Sequence, residues 1–245
     1  MSQATPTSGP LTVVLVHGAF ADAGSWAPVT ERLVAAGVPV MAIVNPLRGI
    51  RTDAAYVASA ITQIPGPVLA VGHSYGGAVI TNAVPQTRNV VGLVYVAAFA
   101  PDEGETLADI VSRSQDSVVL TATLEKQFPI GEGPQTAAEL IIDPAQFREV
   151  FTADLPQLES DVYGLSQRPI AASAFGDRTG HPAWKDLPSW AAVGTADKAA
   201  GTDVVRSMAQ RAGARIIEIE GSHVIMISQP DAVTEVILTA LKSVS

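Results

Sequence analysis

Apolar residues in this chain gather into short unbroken runs, separated by stretches in which they recur every three or four positions. Leu11–Val16, Val38–Val44, Val68–Val71 and Val90–Val96 are such runs, dominated by valine, leucine and isoleucine. Each run predicts a strand, and the first and third read as interior strands of a parallel sheet, wet on neither face. After the first run, Gly24 or Ser25 is placed to cap a helix with Trp26, Val29, Leu33 and Val34 on one face, stopped at Gly37. After the second, Thr52 is placed to cap a helix through Val57, Ile61 and Ile64, closed by Pro65-Gly66-Pro67. Gly77–Ala83 follows the third run as a small-residue helix. Alternation of strand and helix with short links predicts a parallel sheet with helices on both faces.

The rhythm breaks after Pro101. From there to about Asp186 the pattern predicts no strand, only short helical segments opened by Pro134 or by Asp143-Pro144. Leu107, Ile110, Phe128, Phe147, Phe151 and Leu155 supply this stretch with apolar side chains. It reads as a helical cap over the functional edge of the sheet. The sheet pattern then resumes with Pro188–Val193, a helix carrying Val204, Val205 and Met208 that stops at Gly213, the strand Arg215–Ile219, and a closing helix opened by Pro230. This second half needs the first to complete its sheet. The expected organisation is one α/β domain over residues 1–245, with its core at about 10–100 and 187–245 and the cap insertion at about 101–186.

The bulk composition narrows the chemistry. Hydrophobic residues make up 47% and charged residues 16%, enough for a core buried on both sheet faces. A formal net charge of −9 disfavours nucleic acid and anionic membranes as partners, because both need a basic footprint. The absence of cysteine excludes disulfides, thiolate metal sites and a cysteine nucleophile, and it fits a cytoplasmic location. Residues 1–10 lack the basic and apolar regions of a secretion signal and are expected to form a frayed lead-in. The longest apolar stretch, Val90–Ala100, is far short of the ~20 residues needed to cross a bilayer.

The strongest chemical signal is Gly72-His73-Ser74-Tyr75-Gly76, set between an apolar strand and a small-residue helix. In that context G-x-S-x-G predicts a sharp turn that holds the Ser74 hydroxyl out as a nucleophile, with glycine two positions to either side because only small residues fit. Such a serine needs a base, a carboxylate to orient the base, and N–H donors for the oxyanion. Of the four histidines, His73 adjoins the nucleophile and points away, His17 belongs to the turn after the first strand, and His181 lies in the insertion beside Pro182. His223, after the last strand, is left as the base. Parallel sheets present functional groups at the carboxyl ends of their strands. Asp197, after the Gly194 turn, is therefore preferred as the acid over Asp102, which reads as a solvated turn former. Lys198 reads as a surface charge. Tyr75 N–H and Ala19 N–H are the expected oxyanion donors, with Phe20 as the neighbour that substitutes if the turn is offset. Phe20, Phe128 and Phe151 are the expected pocket residues.

With these residues assembled, the chain resembles the α/β-hydrolase superfamily along nearly its whole length. More narrowly, it resembles the small esterase and hydroxynitrile lyase group that includes the plant methylesterases. The matching blocks are Val13–Ala19, Gly72–Gly77, Tyr95–Asp102, Val193–Lys198 and Ser222-His223. The resemblance implies a Ser74–Asp197–His223 triad in that chain order, with Ala19 and Tyr75 as oxyanion amides. The lyases of the group carry lysine after the catalytic histidine and threonine in place of the glycine of His-Gly. Here those positions are Val224 and Gly18, which favours ester hydrolysis. The expected activity is hydrolysis of a small, mostly uncharged ester or lactone, with no cofactor and no metal, in a monomer or a homodimer. A cofactor-independent oxygenase or perhydrolase, a lyase-type activity and a hydrolase-derived ligand receptor remain open on the same fold.

Overall fold

The computed structural model describes residues 9–245, so most of the expected lead-in lies outside the described residues. In chain order the first half runs β1 (Thr12–Val16), α1 (Ala27–Ala35), β2 (Val40–Ile43), α2 (Ile50–Thr62), β3 (Val68–His73), α3 (Tyr75–Ala83) and β4 (Val90–Val96). The inserted segment holds α4 (Leu107–Ser112), β5 (Thr123–Pro129), β6 (Thr136–Ile142), α5 (Phe147–Phe151), α6 (Gln157–Ser166) and β7 (Ile170–Ala171). The chain closes with β8 (Ser189–Gly194), α7 (Thr202–Arg211), β9 (Arg215–Ile219), α8 (Ile225–Ser228) and α9 (Pro230–Val244).

Six strands form one parallel sheet in the order β2-β1-β3-β4-β8-β9. Every residue of β1, β3 and β8 is buried, which explains why these strands read as unbroken apolar runs. Two helix pairs flank the sheet: α1 packs with α9, and α2 with α3. The strand order turns back at β1 and β3, which lie side by side, with Val16 opposite Gly72. Such a switch point leaves a crevice beyond the carboxyl ends of the two strands. The loops after β1 and β3 open into it. Among the described residues, no helix is long and apolar enough to cross a membrane.

The structure corrects the sequence reading in three places. The cap is not wholly helical: β5, β6 and β7 form a three-stranded antiparallel sheet, and Pro134–Leu140, read as a helix, contributes most of β6. The cause is the turn before it, where Gly131 and Gly133 adopt φ of 70° and 123° and Ile130 N–H donates to Gln135 O at 3.1 Å. That turn folds β6 back on β5, pairing Phe128 with Ala137. Cross-strand pairing thereby overrides the helix preference of Ala137 and Ala138. The first helical turn is capped by Asp22, whose carboxylate accepts Gly24 N–H at 2.8 Å, rather than by Gly24 or Ser25. Finally, α2 begins at Ile50, and Thr52 lies inside it with its hydroxyl donating back to Gly49 O at 3.0 Å.

Candidate active site

Ser74 occupies the single residue between β3 and α3, with φ 53° and ψ −124°. A non-glycine residue rarely takes this conformation, and holding it costs about 1–3 kcal/mol. Backbone bonds on both sides enforce it: Ser74 N–H donates to Val96 O at 3.3 Å, while Ser74 O accepts Gly77 N–H at 2.9 Å and Phe99 N–H at 3.2 Å. The flanking glycines are required by close approach. A Cβ on Gly72 would lie 2.6 Å from Gly76 O, and one on Gly76 would fall on Val16 O. Gly18, in the loop after β1, is equally confined, since its Cβ would meet Ser74 Cβ at 2.6 Å.

His223 lies in the loop after β9 and Asp197 in the loop after β8, each 1% exposed. His223 Nδ1 and Asp197 Oδ2 are 2.8 Å apart. A carboxylate accepts, so the hydrogen sits on Nδ1 and Nε2 presents a lone pair. The other carboxylate oxygen of Asp197 accepts N–H groups of Ala199 and Ala200, each at 2.9 Å. Asp197 is therefore oriented by its own loop, and it orients His223 in turn. His223 Nε2 is buried and has no hydrogen-bond partner among the described residues. Ser74 and His223 nevertheless line one small cavity. Bonds of this kind commonly tighten only when substrate is bound.

The remaining walls of that cavity are apolar, including Phe20, Phe99, Leu107, Phe151 and Phe175. Among the described residues, no charged side chain lines it. Ala19 and Tyr75 also face it, and neither backbone N–H has an acceptor among the described residues. Phe20 N–H, by contrast, already donates to Arg168 O at 3.2 Å. Of the three aromatic residues expected in the pocket, Phe20 and Phe151 are there, edge to face with centroids 6.1 Å apart. Phe128 is not. The β5–β6 hairpin carries it away from the cavity, where the Arg48 guanidinium sits 4.3 Å above its ring.

The other charged and imidazole groups fall where the chain pattern placed them. His17 bonds within its turn, with Nδ1 2.8 Å from Gly18 O, and its Nε2 accepts Asn45 N–H at 2.9 Å. His181 is exposed and pairs with Asp186 at 2.7 Å. Asp102 pairs with Lys185 at 2.6 Å, and Lys198 with Glu149 at 3.1 Å.

Two carboxylates that reach the site were not singled out by sequence reasoning. Asp53, fully buried in the first turn of α2, accepts the Tyr75 hydroxyl at 2.8 Å together with the N–H groups of Arg48 and Gly49. Burial pushes its carboxyl pKa up, against the pull of those donors. An acidic residue in a helix's first turn was the available signal, but its distant hydroxyl partner was not legible. Asp154, at the rim of the cap, accepts Ser222 N–H at 2.8 Å and the Ser222 and Ser228 hydroxyls. It ties the cap to the residue preceding His223.

This arrangement of a strained serine, a buried imidazole–carboxylate pair and a parallel sheet agrees with the matches to known proteins. Residues 13–236 match the profile of the alpha/beta hydrolase family, and the chain belongs to that family. Similar folds include a methylesterase from Arabidopsis, at a TM-score of 0.77 and 19% identity over 95% of this chain and 99% of the other. A pyrethroid hydrolase from Sphingobium faniae matches at a TM-score of 0.74 and 21% identity, over 94% and 97% of the two chains. Tomato methylketone synthase I matches at a TM-score of 0.75 and 18% identity, over 97% and 100%. At these identities the likeness establishes a shared fold and leaves the reaction to be argued from the site. No curated protein sequence matches the chain significantly.

Proposed function

We propose that the protein is a serine hydrolase that cleaves a small, mostly uncharged carboxylic ester or lactone through an acyl-enzyme intermediate. The observation that carries this reading is the placement of Ser74 and His223 on one apolar cavity, with His223 held by the buried Asp197. Ser74 Oγ attacks the substrate carbonyl carbon as His223 Nε2 takes its proton. Asp197 keeps the hydrogen on Nδ1 and steadies the imidazolium that forms. The N–H groups of Ala19 and Tyr75 receive the oxyanion. Collapse expels the alcohol, which takes the proton from His223. Water, deprotonated by the same imidazole, then attacks the acyl-enzyme and releases the acid.

An apolar cavity without a charged lining residue favours uncharged substrates on solvation grounds, since a buried unpaired charge is costly. Two structural neighbours bear names of hydrolytic enzymes, the methylesterase and the pyrethroid hydrolase, which supports this reaction class. Lyase-type chemistry has less support: Val224 follows His223, and a side chain larger than glycine at position 18 would strike Ser74 Cβ.

The test is turnover of chromogenic esters and lactones of graded chain length by the wild type, Ser74→Ala and Asp197→Asn. Loss of the nucleophile should lower kcat by about 10⁶-fold, and loss of the carboxylate charge by about 10⁴-fold. Comparable turnover by wild type and Ser74→Ala would place the chemistry elsewhere.

A further inference from the structure

His73 has no part in the mechanism above, yet it is fully buried at the centre of the site. As the last residue of β3 it precedes Ser74, and its side chain lies behind the cavity wall rather than in the cavity. Its Nε2 is 3.0 Å from the main-chain carbonyl oxygen of His223. A carbonyl oxygen only accepts, so Nε2 carries the hydrogen and Nδ1 is left with a lone pair. Among the described residues, no donor reaches Nδ1. That edge instead faces Gly18, whose Cβ position lies 3.2 Å from it. One imidazole therefore abuts the backbone of His223 on one edge and the loop bearing the Ala19 amide on the other.

The surroundings fix this ring in place and in charge. Trp26 and Phe151 meet it edge to face, with centroids 6.3 Å and 6.4 Å away, and the His223 ring is tilted against it at 4.7 Å. Burial first, then the neighbouring His223 and His17, hold its pKa well below the usual histidine range. These two imidazoles, from the loops after β9 and β1, are the titratable groups that act on it. A neutral ring here does not oppose the imidazolium that His223 becomes as it accepts the Ser74 proton. An aliphatic side chain of similar volume would also be neutral, but it could not donate to the His223 carbonyl. That requirement for a neutral donor is what distinguishes histidine at this position from ordinary packing.

We propose that His73 is a positioning residue for the base: its Nε2–H holds the main chain of His223 so that the His223 imidazole meets Ser74 from a fixed backbone. The inference rests on the reading of Ser74, His223 and Asp197 as a triad. Small displacements of a reacting group are expensive in rate, about 10²-fold for 1 Å. A His73→Leu variant should therefore lose about 10- to 100-fold in kcat, with KM changed by less than about 3-fold. His73→Gln, whose side-chain amide can donate from the same place, should recover to within about 5-fold of wild type.

The assay is steady-state turnover of a short chromogenic ester by wild type, both His73 variants and His223→Ala. Wild-type turnover by His223→Ala would remove the triad reading, and this inference with it. Loss of activity in His223→Ala beside wild-type kcat in His73→Leu would overturn this inference alone. So would equal losses in His73→Leu and His73→Gln when both remain folded by circular dichroism. Should His73→Leu not fold, ¹⁵N-histidine NMR of the wild type decides. His73 must appear as the neutral Nε2–H tautomer throughout about pH 5–9. An Nδ1–H tautomer, or titration near the ordinary histidine value, would overturn the assignment.

Discussion

Mild acid should destabilise the protein through His17, by an amount that follows from its two hydrogen bonds. The ring is fully buried at the end of β1. Nδ1 donates to Gly18 O at 2.8 Å and Nε2 accepts Asn45 N–H at 2.9 Å, so both nitrogens are committed and the tautomer is determined. A second proton could only go to Nε2, where it would face the Asn45 N–H. Burial above all, with a smaller push from Arg168, lowers the His17 pKa to about 4, although the Gly18 bond pulls it up. In the unfolded chain the ring titrates at its ordinary value, 6.5. Between those two values the unfolded state binds a proton that the folded state refuses, so stability is full above about pH 6.5 and is lost as pH falls toward 4. The loss from this one group is about 2 kcal/mol at pH 5 and about 3 kcal/mol at pH 4. His17→Gln can still accept from Asn45 while losing the bond to Gly18 O, and should cost about 1 kcal/mol at pH 7.5. Having no proton to gain, it should also lack this part of the acid loss. Urea unfolding of both proteins between pH 7.5 and 4 should then show stability curves that cross between about pH 6 and 5. His73, whose pKa is held down chiefly by burial, adds to the acid loss of both proteins. Parallel curves would refute the reasoning, because they would mean that the buried ring takes up its proton without penalty.

Two further outcomes test the packing and the electrostatics. Gly18→Ala should cost about 1–3 kcal/mol of stability, because the new methyl group meets Ser74 Cβ at 2.6 Å and His73 O at 3.0 Å, neither at the free end of a side chain. It should also lower kcat for the short ester, and a variant with wild-type melting temperature and kcat would contradict the proposed confinement. Glu105 shows a pH dependence of the same sign in a lower window. Burial alone would raise its pKa, but donors from Arg211, the Asp102 amide and Arg113 hold it at about 2. Its stabilising contribution is thus present above the unfolded value of 4.5 and lost as pH falls through about 2. Glu105→Gln should be less stable at neutral pH and should lose less on acidification across that window, as read by circular dichroism. Equal acid limbs would show that the ion cluster does not stabilise the fold.

The parts of the molecule that were legible in the sequence share one physical property: their constraint is local. A strand buried on both faces must be apolar throughout, so β1, β3, β4 and β8 could be read without knowing their neighbours. The bend at Ser74 must place small residues at Gly72 and Gly76. In a parallel sheet every strand ends at the same edge, which favoured Asp197 and His223 over His181, while Asp102, also beyond a strand end, was set aside because Asp197 follows the Gly194 turn of the penultimate strand. The cap had no such rule. In β6 the side chains Ala137 and Ala138 carry almost no strand signal, and Pro134 mimics a helix start. Only the paired glycines Gly131 and Gly133 marked the hairpin, and missing them also misplaced Phe128. Asp53, Asp154 and His73 were illegible for another reason. Their partners lie 22, 68 and 150 positions away, and nothing in the local pattern selects them.

These three long-range bonds suggest how the molecule divides its work. The sheet alone could deliver Ser74, Asp197 and His223 to one edge, but delivery to an edge is accurate only to the reach of a loop. Accuracy must come from groups that hold the loops themselves. Asp53 holds the Tyr75 side chain from α2, His73 holds the His223 carbonyl from β3, and Asp154 holds Ser222 from the cap. The first two are fully buried, where a hydrogen bond acts in a low dielectric and resists exchange with water. Asp154 sits at the exposed rim, where water competes for the same donors, so its tether is the weakest of the three. The cap also supplies Phe151, whose ring lies 4.8 Å from that of His223. A substrate that displaced the cap would therefore work against the rim tether first, leaving the deeper anchors at Tyr75 and His223 in place.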